Sequence, residues 1–448
     1  MKLLFVITED WYFVSHRLPL AMEAKKRGWD VVVATRVGAC REQLEQLGIR
    51  ALHIDVNRGG LNPVGDIGYF KDLLHLYREE RPDMVHHVAM KPCLYGSLAA
   101  WRCKVPCVVN ALAGMGFLFS SSRLAVRLIR GPLMRLFGWL FNRVNSFLIL
   151  QNPNDVDFME RNAWVNAERI RLIRGSGVDL AEFCPAENST EHEVPVCVMV
   201  SRLLRDKGVV ELIEAARILK ERACTCRIIL VGDADLLNPN AIDQQVLDRA
   251  VAAGCVEWVG RRSDIAEIYR HADIAVLPSY REGLPKSLVE AAACGLPIVT
   301  TDVPGCREVV EWLGEKDEGG RLKAEDHGPR TTDHRPQTED GRQETEDRGG
   351  KTTVYRLQTT DLLDNQERRT KNQEHNGYKI RGSLKIGANG VLVPARDAVA
   401  LADAIELLVR DADIRRKMGH ASRALAVREF GIKKVVDDTF RVYGEMKK

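Results

Sequence analysis

Two glutamates lie eight positions apart in the stretch REGLPKSLVE, residues 281–290. Glu282 precedes a Gly-Leu-Pro turn, and Glu290 lies inside the helix that the next residues predict. We expect Pro285 at the first helical position and Gly295 at the helix end. A helix start favours a phosphate, and a carboxylate accepts two hydroxyl hydrogens, which suits a ribose or a hexose. The spacing therefore indicates a site for a phosphorylated sugar compound, although surface helices often carry two glutamates.

A second group of candidate residues lies in SRLLRDKGV, residues 201–209. Arg202 and Lys207 straddle a predicted tight turn, and Gly208 opens a helix. Two cations at a helix start can neutralise a diphosphate leaving group, and charge-assisted contacts of this kind contribute roughly 1.5–3 kcal/mol each. The alternative is a pair of solvated surface cations.

These residues follow strands in a repeating strand-helix pattern. The pattern begins with KLLFVIT at residues 2–8, pauses in a linker at 183–195, and restarts with VCVMVSRL at 196–203. We predict an α/β protein of two doubly wound, Rossmann-like domains that face each other across a cleft. The predicted domains span residues 1–190 and 191–430, and a helix in 431–448 is expected to pack back on the first domain. No glycine-rich dinucleotide or phosphate loop follows any strand, which argues against a nicotinamide enzyme.

Composition restricts the class of protein further. The 448 residues carry a net charge of +3, which gives no general case for nucleic-acid binding. The eleven cysteines are scattered without a CxxC pair, so we predict reduced thiols in a cytosolic protein. The start, MKLLFVITED, predicts a first strand rather than a signal peptide, and no apolar run reaches the ~18 residues of a membrane span.

Residues 314–386 break the strand-helix pattern. Between Lys323 and Thr353 there is no aromatic residue and no aliphatic side chain larger than alanine. Thr-Thr and Thr-Glu steps recur with a period of seven, but the apolar positions of a coiled coil are missing. Such a polar tract cannot bury enough surface to offset its ordering entropy. We predict a disordered insertion in a surface loop.

Residues 84–154 contain no Asp or Glu, although basic side chains recur throughout them. Arg123, Arg127 and Arg130 fall on one predicted helical face, and Arg135 follows. One interpretation is a core helix with a solvated basic side. The other, which the absence of acidic residues favours, is an amphipathic helix that lies on an anionic membrane surface.

Three C-terminal stretches resemble the retaining glycosyltransferases of family four: SRLLRDKGVVELIEAA, REGLPKSLVEAAACGLPIVTTDVPGCREVV and NGVLVPARDAVALADAI. N-terminal stretches such as FVSHRLPLAMEAKKRGWDV and LQNPNDVDFM resemble a subgroup that acts on polyprenyl-diphosphate-linked sugars, typified by bacterial undecaprenyl-diphosphate-bacillosamine N-acetylgalactosaminyltransferases. The resemblance covers nearly the whole chain except about 314–386. It implies the two-domain GT-B fold and a nucleotide-sugar donor, with UDP favoured.

The resemblance also implies roles for individual residues. Arg202 and Lys207 would stabilise the departing diphosphate, and Glu290 would hold the ribose. The donor sugar would contact Glu282 together with the backbone of three residues, Gly283, Leu284 and Pro285. The first domain would hold the acceptor.

The chain departs from the family pattern near the reacting sugar. Many members have a histidine after the corresponding strand of the first domain, where this chain has Asn110. The first loop reads DWYFVSH instead of a glycine pair, so Ser15 and His16, expected at the start of the first helix, are candidate donor contacts. His86 and His87 follow a strand and are expected to face the cleft, more as packed residues than as catalysts. Because no nucleophile is evident, the leaving diphosphate is expected to assist, and no catalytic base is assigned.

The predicted protein is a hexosyltransferase of surface polysaccharide or glycan assembly that needs no metal cofactor. Its partners would be a nucleotide-sugar donor, a lipid-linked sugar acceptor and an anionic membrane surface, with no nucleic acid. It would lie in the cytoplasm at the inner face of the plasma membrane. The sequence DAD at 233–235 has the form of a manganese motif of another transferase fold, but its position argues against a metal. The alternatives are a nucleotide-sugar epimerase and a non-catalytic remnant that binds nucleotide sugars as a scaffold.

Overall fold

A computed structural model describes most of the chain. The described residues are 1–56, 63–112, 124–162, 164–186, 192–234, 238, 240–311, 373–375, 378–381 and 383–446, with side chains omitted at 63–64, 124–130, 373–375 and 378–381. The predicted insertion therefore lies largely outside the described residues.

The N-terminal half forms one sheet of seven parallel strands in the order β3-β2-β1-β4-β5-β6-β7. The strands are Lys2–Glu9 (β1), Asp30–Arg36 (β2), Arg50–His53 (β3), Met84–Val88 (β4), Cys107–Leu112 (β5), Ser146–Leu150 (β6) and Ile170–Leu172 (β7). Every residue of β4 and β5 is buried, because helices cover both faces of a parallel sheet.

Helices connect these strands, as the alternating pattern predicts. They are Asp10–His16 (α1), Leu18–Lys26 (α2), Arg41–Gln46 (α3), Pro63–Glu80 (α4), Ser97–Cys103 (α5), Leu124–Arg143 (α6) and Pro153–Arg161 (α7). Short turns of π and 3-10 helix add Pro92–Gly96 and Ala167–Arg169. Asn152 caps α7 by accepting a hydrogen bond from the Asp155 N–H at 2.8 Å, with Pro153 at the first helical position.

The second sheet has nine strands in the order β10-β9-β8-β11-β12-β16-β15-β14-β13. The strands are Val196–Val200 (β8), Arg227–Val231 (β9), Glu257–Trp258 (β10), Ile274–Leu277 (β11), Ile298–Thr301 (β12), Gln373–His375 (β13), Tyr378–Arg381 (β14), Leu384–Ile386 (β15) and Gly390–Val393 (β16). The six strands from β10 to β16 in that order pair in parallel, and β15, β14 and β13 extend the edge antiparallel.

The helices around the second sheet are Val209–Glu221 (α8), Gln244–Ala252 (α9), Ile265–Arg270 (α10), Lys286–Ala293 (α11), Ala398–Arg410 (α12) and Ala412–Leu425 (α13). Short 3-10 turns at Arg205–Lys207 and Arg307–Val309 and a π turn at Ala426–Phe430 complete the half. One continuous apolar core joins the two sides of this sheet.

The predicted disorder is wrong at the carboxyl end of 314–386. Leu384 is buried, and β15 pairs with β16, because the apolar side chains of Leu384 and Ile386 alternate as a half-buried strand requires. Before the gap, the backbone carbonyl of Glu311 accepts a 3.0 Å hydrogen bond from the Ala388 N–H. Glu311, the last described residue before the gap, and Ala388, just before β16, are therefore neighbours in the fold.

The chain returns to the first sheet through a last helix, Ile432–Glu445 (α14). Phe440 packs against Trp29 with ring centroids 5.3 Å apart, and the Arg27 guanidinium lies 3.9 Å above the Phe440 ring. Tyr443 is fully buried in the same cluster as β1 and β2. All eleven cysteines are free thiols in the structure.

Candidate functional site

The carboxyl ends of strands from the second sheet bring Lys207 and Glu282 together. Their side chains form an ion pair in which Nζ of Lys207 donates to Oε1 of Glu282. The Ser279 hydroxyl donates to the same carboxylate oxygen at 2.7 Å. Both charged side chains are largely buried, at 19% and 14% exposed, so the pair is shielded from solvent screening. The predicted grouping of these two residues is present in the structure, whereas their roles stay a prediction.

The loop that carries Glu282 is held by close backbone contacts. The Glu282 N–H donates to the Pro304 carbonyl at 3.2 Å. Gly305 has a φ of +84°, and a Cβ there would lie 2.4 Å from the Glu282 carbonyl oxygen. The predicted helix start is one residue early, because Pro285 has extended backbone as the N-cap and α11 begins at Lys286.

The loop that carries Lys207 is equally tight. Lys207 ends the 3-10 turn Arg205–Lys207, and Gly208 follows with a φ of +76° before α8. A Cβ at Gly208 would lie 2.1 Å from the Pro278 carbonyl oxygen, so only glycine fits between the two loops. Arg202 lies exposed on the same loop, two residues beyond the end of β8. The two predicted cations therefore flank one turn at the sheet edge.

Glu290 lies on the first turns of α11 and is 8% exposed. Lys286, one turn earlier, places its Nζ 3.0 Å from the Glu290 carboxylate. The same ammonium donates to the Ser15 hydroxyl of the first domain at 3.2 Å. Burial raises the pKa of Glu290, and the Lys286 ammonium opposes that rise. Sequence analysis missed Lys286, although its spacing of four from Glu290 is a recognisable helical ion pair.

Ser15 and His16 lie at the end of the first helix rather than at its start. The stretch DWYFVSH, predicted as a loop, is itself α1. Asp10 anchors its first turn by accepting hydrogen bonds from the Gly38 N–H at 2.6 Å and the Cys40 N–H at 3.0 Å. Ser15 is exposed at the contact with the second domain.

His16 stacks on Tyr12 with ring centroids 4.0 Å apart. Burial, followed by the Lys286 ammonium and the Arg17 guanidinium, lowers the pKa of His16 to about 3. The imidazole is therefore neutral at neutral pH. Its Nδ1 has no hydrogen-bond partner among the described residues, so the ring keeps an unused polar atom beside the second domain.

A second contact between the domains involves Asn152, Asp155 and Arg281, to which the sequence patterns assigned no role. Nδ2 of Asn152 donates to the Gly283 carbonyl at 2.9 Å, and the guanidinium of Arg281 donates to Asp155 at 2.7 Å. Asn152 and Asp155 are 0% and 1% exposed. The first domain thus contacts the residues on both sides of Glu282, namely Arg281 and Gly283. The sequence signal for Asn152 and Asp155 was the motif LQNPNDVDFM. This motif resembles the subgroup, but it does not show which residues its polar side chains contact.

His86 and His87 do not face the cleft, and the expected orientation is wrong. Both are fully buried: His86 contacts the Tyr443 hydroxyl at 2.5 Å, and His87 contacts Tyr77 at 2.7 Å and Asn110 at 2.8 Å. Burial holds the pKa of His86 well below its usual range and lowers that of His87 to about 4. The interpretation of packed, hydrogen-bonded residues is confirmed.

The structure describes only part of the sequence DAD at 233–235, which was not expected to bind a metal. Asp233 is exposed and accepts a 3.0 Å hydrogen bond from the Arg261 N–H, whereas Asp235 lies outside the described residues. Within the described ranges, no group of three or more His, Cys, Asp or Glu side chains is arranged to hold a metal ion.

The arginine-rich helix predicted within residues 84–154 is α6. The described residues do not include Arg123 or the side chains of Arg127 and Arg130. Arg135 is exposed on the described part of the helix. Among helices of the described ranges, none combines the length and apolar character needed to cross a membrane.

Comparison with known proteins gives the family. A family model described as "Glycosyl transferase 4-like" matches residues 2–152, and one described as "Glycosyl transferases group 1" matches 194–328. The N,N'-diacetylbacillosaminyl-diphospho-undecaprenol alpha-1,3-N-acetylgalactosaminyltransferase of Campylobacter jejuni is 30% identical over 317 residues, covering 66% of this chain and 82% of that protein. The chain belongs to the GT-B glycosyltransferases of family four.

A second relative and a solved structure agree with this family and with its fold. The UDP-Gal:alpha-D-GlcNAc-diphosphoundecaprenol alpha-1,3-galactosyltransferase of Escherichia coli is 28% identical, covering 57% of this chain and 67% of that enzyme. The fold matches Anabaena Alr3699/HepE in complex with UDP-glucose with a TM-score of 0.67 at 18% identity, covering 99% of this chain and 100% of that one. The predicted fold class and enzyme class are confirmed.

Proposed function

We propose that this glycosyltransferase moves a hexose or N-acetylhexosamine from a UDP-sugar to a polyprenyl-diphosphate-linked or other membrane-associated acceptor. The reaction would serve surface polysaccharide or glycan assembly. The observation that carries the proposal is the Lys207–Glu282 ion pair beside the start of α11, with Glu290 buried on that helix. Two relatives named for undecaprenyl-diphosphate-linked acceptors support the acceptor class.

The donor would bind along the carboxyl edge of the second sheet, as ligands do in open α/β sheets. Lys207, Arg202 and the free N–H groups at the start of α11 would hold the diphosphate. Glu290 would accept hydrogen bonds from the ribose hydroxyls, which supply the polar partners that a buried carboxylate requires. Glu282 and the backbone of Gly283, Leu284 and Pro285 would contact the donor sugar.

The acceptor would enter from the first domain, where Ser15 contacts Lys286 across the cleft. In the reaction, the bond between the sugar C1 and the β-phosphate oxygen breaks, and the acceptor hydroxyl oxygen bonds to C1. The proton of that hydroxyl passes to the leaving diphosphate. His16, neutral because of its lowered pKa, would donate or accept a hydrogen bond to the donor sugar without adding charge.

Charge neutralisation by Lys207 and Arg202 supports a reaction that needs no metal ion, since these cations would face the phosphates that a divalent ion would otherwise bridge. Transfer that continues at an undiminished rate in excess EDTA is the expected result. We further propose that the protein works in the cytoplasm, bound peripherally to the inner face of the plasma membrane, because a polyprenyl-linked acceptor cannot leave the bilayer.

The proposal is tested by radiolabel transfer. Purified protein is mixed with bacterial membranes and a panel of labelled UDP-hexoses and UDP-N-acetylhexosamines, and the lipid is extracted into organic solvent. Label in the lipid phase from one donor is the expected result. The alternative, a donor-binding scaffold, predicts measurable UDP binding with no label transferred from any donor.

A further inference from the structure

Arg17 is a buried arginine for which the described part of the chain supplies no counter-charge. The residue lies between α1 and α2 and is 4% exposed. Its Nε is buried without a hydrogen-bond partner, and its guanidinium forms no ion pair with a carboxylate of the described residues. A buried charge is costly unless an anion or hydrogen-bond acceptors compensate it. The side chain therefore needs an explanation beyond packing.

The polar groups nearest to Arg17 are neutral or have other partners. Glu9, at the end of β1, pairs with an arginine of β2 at 3.5 Å, and Asp10 accepts hydrogen bonds from the N–H groups of a separate loop. Burial, followed by the Arg17 guanidinium, lowers the pKa of His86, so this imidazole is neutral. Burial raises the pKa of Tyr443, and Arg17 opposes that rise, so the phenol that contacts His86 is neutral too.

The position of Arg17 in the first sheet is a second observation. The central strands β1 and β4 are neighbours, but the chain leaves β1 toward β2 on one side and returns with β4 on the other. Such a reversal of strand order opens a crevice outside the carboxyl ends of the two strands, where open α/β sheets bind ligands. Arg17 follows β1 through α1, and its electrostatic effect on His86 of β4 places the guanidinium close to this crevice. An unpaired cation at this place points to an anionic ligand.

We propose that Arg17 binds a phosphate oxygen of the acceptor's diphosphate. The inference rests on the proposed function, in which the acceptor is a polyprenyl-diphosphate-linked sugar. Such an acceptor brings a diphosphate of its own in addition to that of the donor. The donor diphosphate is assigned to Lys207 and Arg202 of the second domain, whereas the acceptor diphosphate needs a cation in the first domain. Arg17 supplies that cation.

The shape and place of Arg17 suit this role. A planar guanidinium donates two parallel hydrogen bonds to phosphate oxygens, which fixes the orientation of the bound group. Ser15, two residues earlier, contacts Lys286 of the second domain at 3.2 Å. An acceptor held at Arg17 by its diphosphate would therefore present its sugar beside the second domain, where the donor sugar is proposed to bind.

Calorimetric binding of geranyl diphosphate, a short polyprenyl diphosphate, tests the proposal in protein saturated with UDP, which occupies the proposed donor site. Arg17→Met is expected to weaken geranyl diphosphate binding at least tenfold and to leave the affinity for UDP unchanged. Arg17→Lys keeps a cation without the planar fork and is expected to bind with an affinity between those of Arg17→Met and the wild type. Arg78→Met, exposed near the end of α4, makes the same change in charge and is expected to bind like the wild type.

Urea unfolding separates a binding role of Arg17 from a structural one. Because Arg17→Met removes an uncompensated buried charge, the free variant is expected to unfold at the same urea concentration as the wild type or at a higher one. A large loss of stability with an equal loss of UDP binding would show a structural residue and overturn the proposal. Wild-type protein that does not bind geranyl diphosphate, or Arg17→Met that binds it as tightly as the wild type, would overturn it as well.

The remaining outcomes separate the ligand of Arg17 from the proposed function. Weaker UDP binding by Arg17→Met with unchanged geranyl diphosphate binding would assign Arg17 to the donor and overturn the acceptor assignment. Sugar transfer by the wild type, with geranyl diphosphate binding that does not depend on Arg17, would overturn this inference and leave the proposed function standing. Arg17-dependent binding without sugar transfer to any lipid would contradict the proposed function and leave the diphosphate site standing.

Discussion

The Lys207 ammonium and the Glu282 carboxylate form an ion pair although 75 positions separate them in the chain. One follows β8 and the other follows β11, which are neighbouring parallel strands. Since the carboxyl ends of neighbouring strands meet at one edge of the sheet, the pair places a cation and the loop of Glu282 side by side. The topology of the sheet thus brings together the residues of the proposed donor site.

Removal of the charged groups at this edge is expected to slow transfer. Lys207→Ala and Glu290→Ala should each lower kcat/KM at least tenfold, which is about 1.4 kcal/mol of transition-state stabilisation. Lys220→Ala, on the exposed side of α8, is the matched control and should retain the wild-type rate. Wild-type kinetics in both site variants would rule out the proposed donor site at Lys207 and Glu290.

The hydrogen bond from Asn152 to the Gly283 carbonyl is expected to position the donor loop against the first domain. Asn152→Ser keeps an oxygen that can cap α7 but removes Nδ2, which donates to the Gly283 carbonyl and, at 3.0 Å, to the Asp155 carboxylate. We expect kcat to fall about tenfold with little change in UDP affinity, because the variant alters domain alignment rather than donor contacts. Asn162→Ser, at the exposed end of α7, is the control; an equal loss there, or an unchanged kcat at Asn152, would refute the positioning role.

Alanine substitutions at Gly208 and Gly28 distinguish two effects on stability: a clash of the new Cβ with a neighbouring atom, and the strain of a positive φ. Both have positive φ, +76° and +77°, but a Cβ meets the Pro278 carbonyl at Gly208 and nothing within 4 Å at Gly28. Gly28→Ala should cost about 1–2 kcal/mol of unfolding free energy and leave activity unchanged. Gly208→Ala should cost more and also lower kcat/KM, because the loop with Lys207 must move. Urea unfolding and steady-state rates measure both, and equal behaviour of the two variants would contradict the close contact.

The lowered pKa of His16 predicts a pH dependence of stability. The folded-state value is about 3 against 6.5 in the unfolded chain, so the unfolded chain binds the proton first as pH falls. The unfolding free energy therefore decreases as pH falls from 6.5 toward 3 and is unaffected by this group above 6.5. Between pH 7.5 and pH 5.0, His16→Gln should lose less stability than the wild type, by up to about 2 kcal/mol. Equal losses in urea unfolding would show that the imidazole is not held neutral.

Local sequence patterns predicted most of the fold, because buried parallel strands appear as apolar runs with helices between them. The turn at Gly208 and the helix stop at Gly295 were also predictable, since both have positive φ that favours glycine. The loop predicted at DWYFVSH was wrong, because the carboxylate of Asp10 is held by backbone groups of a distant loop, at Gly38 and Cys40, that no local pattern reveals.

The residues of the candidate site could be predicted only where a short motif contains all of them. Glu282, Glu290, Arg202 and Lys207 lie in two short motifs whose spacing follows from helix and turn geometry. The contact of Asn152 with Gly283 spans 131 positions, and its existence depends on how two domains pack. His86 and His87 lie within β4 and not after it, and both face the core. The hydroxyl partner of His86, Tyr443, is 357 positions away, so no local pattern shows that contact.

The proposed reaction is tested most directly by a single turnover on a synthetic undecaprenyl-diphosphate-linked sugar, in which UDP release and transferred sugar are quantified together. We expect one UDP released per sugar transferred by the wild type and by Lys220→Ala, with both products lost in Lys207→Ala combined with Glu290→Ala. UDP-sugar binding by the wild type without release or transfer, or equal transfer by the double variant, would contradict the proposed reaction.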